Sequence, residues 1–176
     1  MKSILSIVCC MAICCLPALA QKEHAAKGAT GAPMTDQQFV DFAAQTDMLE
    51  AHLGQMAQDQ AARQDVKDYA QMLVTDHTSD YQQLQGITTK ANLTAPTALD
   101  AESNKMIAPF EKLKGAAFDT RYIHAMIAGH TKAIEIYKRE AAEAQSADLK
   151  SYASTALPVL QKHLDGANDL MKKPSK

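Results

Sequence analysis

The feature that most constrains this chain is a stripe. Leu149, Ala153, Ala156, Leu160, His163, Ala167 and Leu170 recur in steps of four and three, the spacing of one inward face of an α-helix in a bundle. Six of these positions are apolar and the seventh is a histidine. Three earlier stretches repeat the pattern, each with an ionisable residue among apolar ones. Such a chain folds by burying its stripes against one another, and it must then accommodate polar groups in the shared interior.

The residues before the first stripe read as an address. Lys2 supplies a positive start, Ile4 to Leu16 is an apolar run too short for a stable span, and Ala18-Leu19-Ala20 is a signal-peptidase pattern. A signal peptide over residues 1–20 is expected, with cleavage before Gln21 and export to a bacterial periplasm. Cys9, Cys10, Cys14 and Cys15 all fall inside it, so no disulfide is expected in the mature chain. Neither cysteine pair follows the residues of a lipoprotein cleavage site. Residues 21–34, rich in Ala, Gly and Lys, show no apolar period and read as a flexible leader. That leaves residues 35–173 as one domain.

Of the 18 basic side chains one is Lys2, so 17 remain against 20 acidic ones. Nothing resembles the basic face that phosphate backbones require, which argues against nucleic acid as a partner. No long apolar span or alternating barrel strand follows Ala20, so no transmembrane segment is expected after cleavage. No envelope partner is named by the sequence.

Thr35 and Gln38 form a capping-box pattern at the start of the first helix, whose expected stripe is Phe39, Ala43, Thr46, Glu50, Leu53 and Ala57. The second helix is expected from Ala62 to Ala91 with Val66, Ala70, Leu73, His77, Asp80, Leu84 and Ile87 inward. Residues 92–115 form a long connection with a short helix from Thr97 to Lys114, kinked or ended by Pro109. The periodicity leaves its path open, along the bundle or folded back on one end. Ile123, Met126, His130, Ala133 and Tyr137 mark the third long helix, Ala116 to Ala144. Ser146 caps the last helix, Pro158 should bend it, and Pro174 should end it. The fold class is therefore all-α, a ferritin-like four-helix bundle with a short extra helix in its long connection.

His77 and His130 fall at the midpoints of their helices, with Glu50 and His163 about 4 to 5 Å from theirs. A midpoint keeps its height whichever way a helix runs, so the four should meet at one level. Three imidazoles and a carboxylate suit a transition metal ion, Fe, Zn, Mn or Cu. Asp76 or Asp80 would orient His77 from behind, and Tyr81, Tyr122 or Tyr137 would donate hydrogen bonds nearby. The same groups would alternatively close a hydrogen-bond network without metal in a non-catalytic envelope or stress-related protein. A general-base role for His77 or His130 needs an opening to solvent, expected near Pro158. His24 lies in the leader, His52 and His124 fall off the stripes, and the seven methionines of the mature chain read as core filler.

Glu50-Ala-His-Leu-Gly, Val74-Thr-Asp-His77, Gly115-Ala-Ala-Phe118-Asp119-Thr-Arg-Tyr122 through Gly129-His130, and Leu157-Pro158 followed by His163-Leu164 together resemble a family. It is the ferritin-like domain of unknown function found in bacterial envelope proteins, often labelled predicted outer-membrane proteins. The resemblance spans Thr35 to Met171. It implies a helical bundle, a secreted location and no settled activity, and its signature would be Glu50, Asp76, His77, Phe118, Asp119, Tyr122, His130 and His163. Di-iron bundles use Glu-x-x-His pairs, and this chain has none, which argues against ferroxidase chemistry.

Overall fold

The computed structural model describes residues 34–173. The expected signal peptide, most of the leader and Pro174 lie outside them. Five helices follow in order: α1 (Asp36–Gln60), α2 (Gln64–Ala91), α3 (Ala101–Ile107), α4 (Gly115–Glu143) and α5 (Ala147–Lys172). No strand occurs among the described residues. The expected all-α bundle with an extra short helix is what the chain forms.

α1 begins on the capping box read from the sequence. The Thr35 hydroxyl accepts from the Gln38 amide at 3.2 Å while the Gln38 side chain accepts from the Thr35 amide at 2.9 Å. Both donors belong to the set that a helix start leaves without intrahelical partners. α5 starts the same way, with the Leu149 amide on the Ser146 hydroxyl. It runs unbroken through Pro158 to Lys172. α3 is shorter than the Thr97 to Lys114 reading, running from the Asp100 cap to Ile107. Pro109 accounts for the early stop, because it has no amide to give the carbonyl four residues before it and its ring crowds that turn.

The helices pair as α1 with α2 and α4 with α5, and the two hairpins meet along α1–α4 and α2–α5. Gly54 permits the close approach within the first hairpin. A Cβ there would stand 2.7 Å from the Val74 side chain and 2.9 Å from the Ala70 carbonyl. Each hairpin turn is closed by an aspartate of the other hairpin. Asp119, near the start of α4, accepts from the amides of Ala62 and Arg63 at 3.0 and 3.1 Å. Asp36, at the start of α1, accepts from those of Gln145 and Ser146 at 2.8 and 2.9 Å. α2, whose own N-cap Arg63 makes no side-chain cap, thus has its N-cap amide satisfied from α4.

These contacts settle the path of the connection. It leaves α2 beside the start of α1, where the Gln37 side chain binds both the Thr94 carbonyl and the Thr94 amide. It passes Gln45 at Ala98 and Asp100, and reaches the end of α1, where Gln60 donates to the Glu111 carbonyl. The link runs the length of the bundle along α1, so neighbouring helices are antiparallel all round.

The apolar interior is split in two. One cluster gathers Leu53, Val66, Leu73, Phe118, Tyr122 and Met126; the other gathers Phe39, Leu84, Tyr137, Leu149 and Leu160. Between them lies a buried polar layer. The stripes on α4 and α5 are buried at every position read from the sequence, while on α1 Asp47 is buried and Thr46 is only half-buried. Met126 is fully buried and Met34, Met48, Met56 and Met72 pack half-buried against the two clusters, as core filler should, while Met106 and Met171 are exposed.

Candidate metal centre

Each long helix contributes to the polar layer from its inward face. Glu50 comes from α1, His77 from α2, His130 from α4 and His163 from α5, all with 3% exposure or less. Glu50 Oε2 lies 3.0 Å from His77 Nε2 and 3.3 Å from His130 Nε2. Ring centroids of the histidines stand 5.2 to 5.8 Å apart. The equal-height reading from helix midpoints is therefore met in space.

The hydrogen bonds around this group are one-sided. His77 Nδ1 meets Asp47 at 2.8 Å, His130 Nδ1 meets the Met126 carbonyl at 2.9 Å, and His163 Nε2 meets Asp76 at 2.9 Å. A carboxylate or carbonyl accepts, so each holds a proton on the ring nitrogen it faces. The opposite atoms, His77 Nε2, His130 Nε2, His163 Nδ1 and Glu50 Oε2, are buried and have no hydrogen-bonding protein partner. The short His77–Glu50 and His130–Glu50 approaches are too poorly aligned to count as hydrogen bonds. Imidazoles that ligate metals are commonly held this way, by an acceptor on the far nitrogen.

Protonation follows the same layout. Burial pushes Glu50 up, but the imidazoles of His130 and His77 outweigh it and hold the carboxyl below its usual range. Burial pulls His77 down, but Glu50 and Asp47 outweigh it and hold the imidazole well above its ordinary 6.5. Burial raises Asp47 to about 7 against the pull of His77. We therefore read the Asp47–His77–Glu50 chain as retaining a proton at neutral pH. Burial lowers His163 to about 4, leaving it neutral there.

One nitrogen from each of the three histidines lies within 4.8 Å of the other two. A tetrahedral ion at about 2.1 Å from each nitrogen would hold them about 3.4 Å apart. The widest separation would close by at most about 1.4 Å, within reach of side-chain adjustment, and the donor set fits an ion.

Other expected supports lie elsewhere. The residue behind His77 is Asp47, not Asp76 or Asp80. Asp76 pairs with His163, and Asp80 accepts from the Tyr152 hydroxyl at 2.6 Å. The reason is rotational: Asp76, next to His77 in sequence, points about 100° away around the helix. The Tyr122 ring stacks on Phe118 and its buried hydroxyl has no protein partner, so it donates nothing to the cluster. Tyr81 donates to the Pro96 carbonyl, and the Tyr137 hydroxyl faces that of Tyr152. Asp47 was missed, although Ala43, Asp47, Glu50, Gly54 and Ala57 keep the four-and-three spacing. The expected stripe has Thr46 in that place. Gly129 was missed too: a Cβ on it would stand 3.2 Å from Glu50 Oε1, so its bare backbone seats that carboxylate.

A cleft of about 310 Å³ opens between α2 and α5, lined by Asp76, His77, Asp80, Tyr152, Val159 and His163 among others. It lies beside Pro158, where an opening was expected. His52 and His124 are exposed, as read.

Residues 20–170 match the family described as domain of unknown function DUF4142, and the chain belongs to that family. The resemblance read from the sequence thus leads to a family of unknown function. Among solved structures the chain is similar to CopM in the Cu(II)-bound form, with a TM-score of 0.66 and 13% sequence identity over 78% of this chain and 96% of that one. At that identity the likeness shows a shared helical fold. No curated protein sequence matches. No helix among the described residues is long and apolar enough to cross a membrane.

Proposed function

We propose that this member of the DUF4142 family is an exported, periplasmic metal-binding protein whose bundle holds one divalent transition ion between Glu50, His77, His130 and His163. The observation that carries the reading is a buried cluster of three imidazoles, each tied from behind, with Glu50 Oε2 beside two of them and none of the four inner atoms in an aligned hydrogen bond. Buried polar groups are almost always satisfied, since leaving one unpaired costs several kcal/mol. An ion would satisfy all four at once.

Imidazole with a single carboxylate suits Cu(II), Zn(II), Fe and Mn, and the usual order of stability puts Cu(II) first. The fold shared with a protein solved in its Cu(II)-bound form makes copper the first ion to try. A single mononuclear set favours sequestration or carriage over di-iron oxidation.

The test is metal content of untagged protein from the periplasm, followed by titration with Cu(II), Zn(II), Fe(II) and Mn(II). The expected result is a single ion per chain in the wild type and none in His130→Ala at unchanged helicity. A wild type that takes up none of the four would leave the layer as a structural network in a partner-binding envelope protein. In that case His163→Leu would shift the melting temperature and nothing else.

A further inference from the structure

The proposed site borders a cleft on one side. His77 and His163 line the α2–α5 cleft, whereas Glu50 and His130 do not. The opening also carries its own charges. Asp76 and Asp80, one helical turn apart on α2, line it together with a single cation, Lys162.

Asp76 has two faces. Its side chain is 33% exposed, yet its Oδ2 is 2.9 Å from His163 Nε2. The carboxylate that meets solvent in the cleft is therefore the one that holds a proposed ligand. Across from it, α5 presents small or exposed residues, with Ala156 beside Val159 at 41% exposure. Pro158 has no amide to give the Ser154 carbonyl, so this turn of α5 lacks one rung of its ladder. At roughly 30 Å³ per water, the cleft has room for a cation with its first shell of waters.

Four protein ligands would fill a tetrahedral shell, so an ion can come and go only along a path that reaches the layer. The α2–α5 cleft borders two of the four ligands and is lined by carboxylates, and clefts with an excess of one sign concentrate the opposite ion and speed its arrival. We propose that the ion is exchangeable cargo, loaded and released through the α2–α5 cleft with Asp76 as the first carboxylate it meets. This rests on the metal-binding reading and adds how the ion comes and goes without the bundle unfolding.

The experiment is stopped-flow loading of Cu(II) and its removal by EDTA, in the wild type, Val159→Trp and Gln83→Lys. Val159 and Gln83 line the cleft, are exposed and belong to none of the proposed ligands. A tryptophan plug should slow loading and release alike, each by about tenfold, with Kd unchanged because a narrowed path acts equally in both directions. The added lysine should slow loading severalfold at low ionic strength, an effect that salt removes. Circular dichroism checks folding, with Thr155→Trp as the plug if Val159→Trp does not fold. Wild-type loading rates in every cleft variant, or release no faster than global unfolding, would overturn the port while leaving the site intact. A wild type that binds no Cu(II) would overturn the binding reading itself, and the port with it.

Discussion

Asp119 and Glu50 are both buried carboxylates, at 1% and 3% exposure, and their surroundings could hardly differ more. Asp119, at one end of the bundle, accepts two backbone amides from the turn between α1 and α2. Asp36 does the same at the other end for the turn between α4 and α5. Glu50, at mid-height, has Oε2 set against imidazoles without an aligned hydrogen bond. The reason lies in the helix. Its interior amides are already bonded to carbonyls four residues back, so only the ends offer free donors. A carboxylate at the end can close the fold; one in the middle must look to side chains or an ion.

The sharpest way to break this comparison is to remove one group from each region. Asp119→Ala should lower unfolding stability by about 2 kcal/mol in denaturant titrations, the upper range for loss of a helix cap. His163→Leu in metal-free protein should cost little, because the hydrogen bond it loses goes to the partly exposed Asp76 while the unpaired, buried Nδ1 is replaced by an apolar group. Equal losses in both variants would mean that the middle layer is structural cement like the ends.

Next in size is Asp47→Asn. It keeps the shape behind His77 and removes the charge, and it should weaken metal binding by about 10- to 100-fold, the usual effect of altering a ligand's supporting partner. Calorimetric titration gives the number. An unchanged affinity would deny Asp47 a positioning role.

The middle layer should also show itself in pH. Asp47, with a folded value near 7, and His77, held above 6.5, both bind protons more tightly folded than unfolded. Their stabilising contribution is present below the unfolded values and lost as pH rises through the folded ones. Metal-free protein should therefore lose stability as pH rises, through Asp47 between about pH 4 and 7 and through His77 from about 6.5 upward, while metal affinity rises by up to about tenfold per pH unit as the ion displaces a proton. His163, lowered to about 4, has the opposite sign and offsets Asp47 between about pH 4 and 6.5: its contribution is lost as pH falls from 6.5 towards 4. Chemical denaturation and competition titrations across pH 5 to 9 check both slopes; parallel slopes above pH 6.5 would count against a shared proton.

The smallest effect is expected at Gly129. Gly129→Ala would place a methyl 3.2 Å from Glu50 Oε1, so the carboxylate must yield by a few tenths of an ångström. A few-fold loss of metal affinity at nearly unchanged stability is expected, since alanine improves helix propensity by up to about 1 kcal/mol. Wild-type affinity in this variant would show that the carboxylate moves freely.

The stripes, the capping box at Thr35 and the common height of Glu50, His77, His130 and His163 were all legible in the sequence. Each is a property of one helix at a time, and spacing along one helix fixes which residues share a face. Asp47 was legible by the same spacing, one residue along from the Thr46 of the expected stripe. The pairing of Asp76 with His163 was not legible, because a partner across a groove depends on how two helices are rotated about their own axes. The path of the 92–115 link rests on glutamines 37, 45 and 60 of α1, whose amides advertise no periodicity.

The sequence by itself determined four long helices, the faces they bury and the level at which their polar residues fall, because helical periodicity is set by local backbone geometry. Only the tertiary structure decided which acid stands behind which imidazole, that α2 has its N-cap amide satisfied from α4, and that the polar layer opens between α2 and α5. Those outcomes depend on rotation and separation between helices, where one residue is a turn of about 100° and nothing in the linear order records the neighbour's phase.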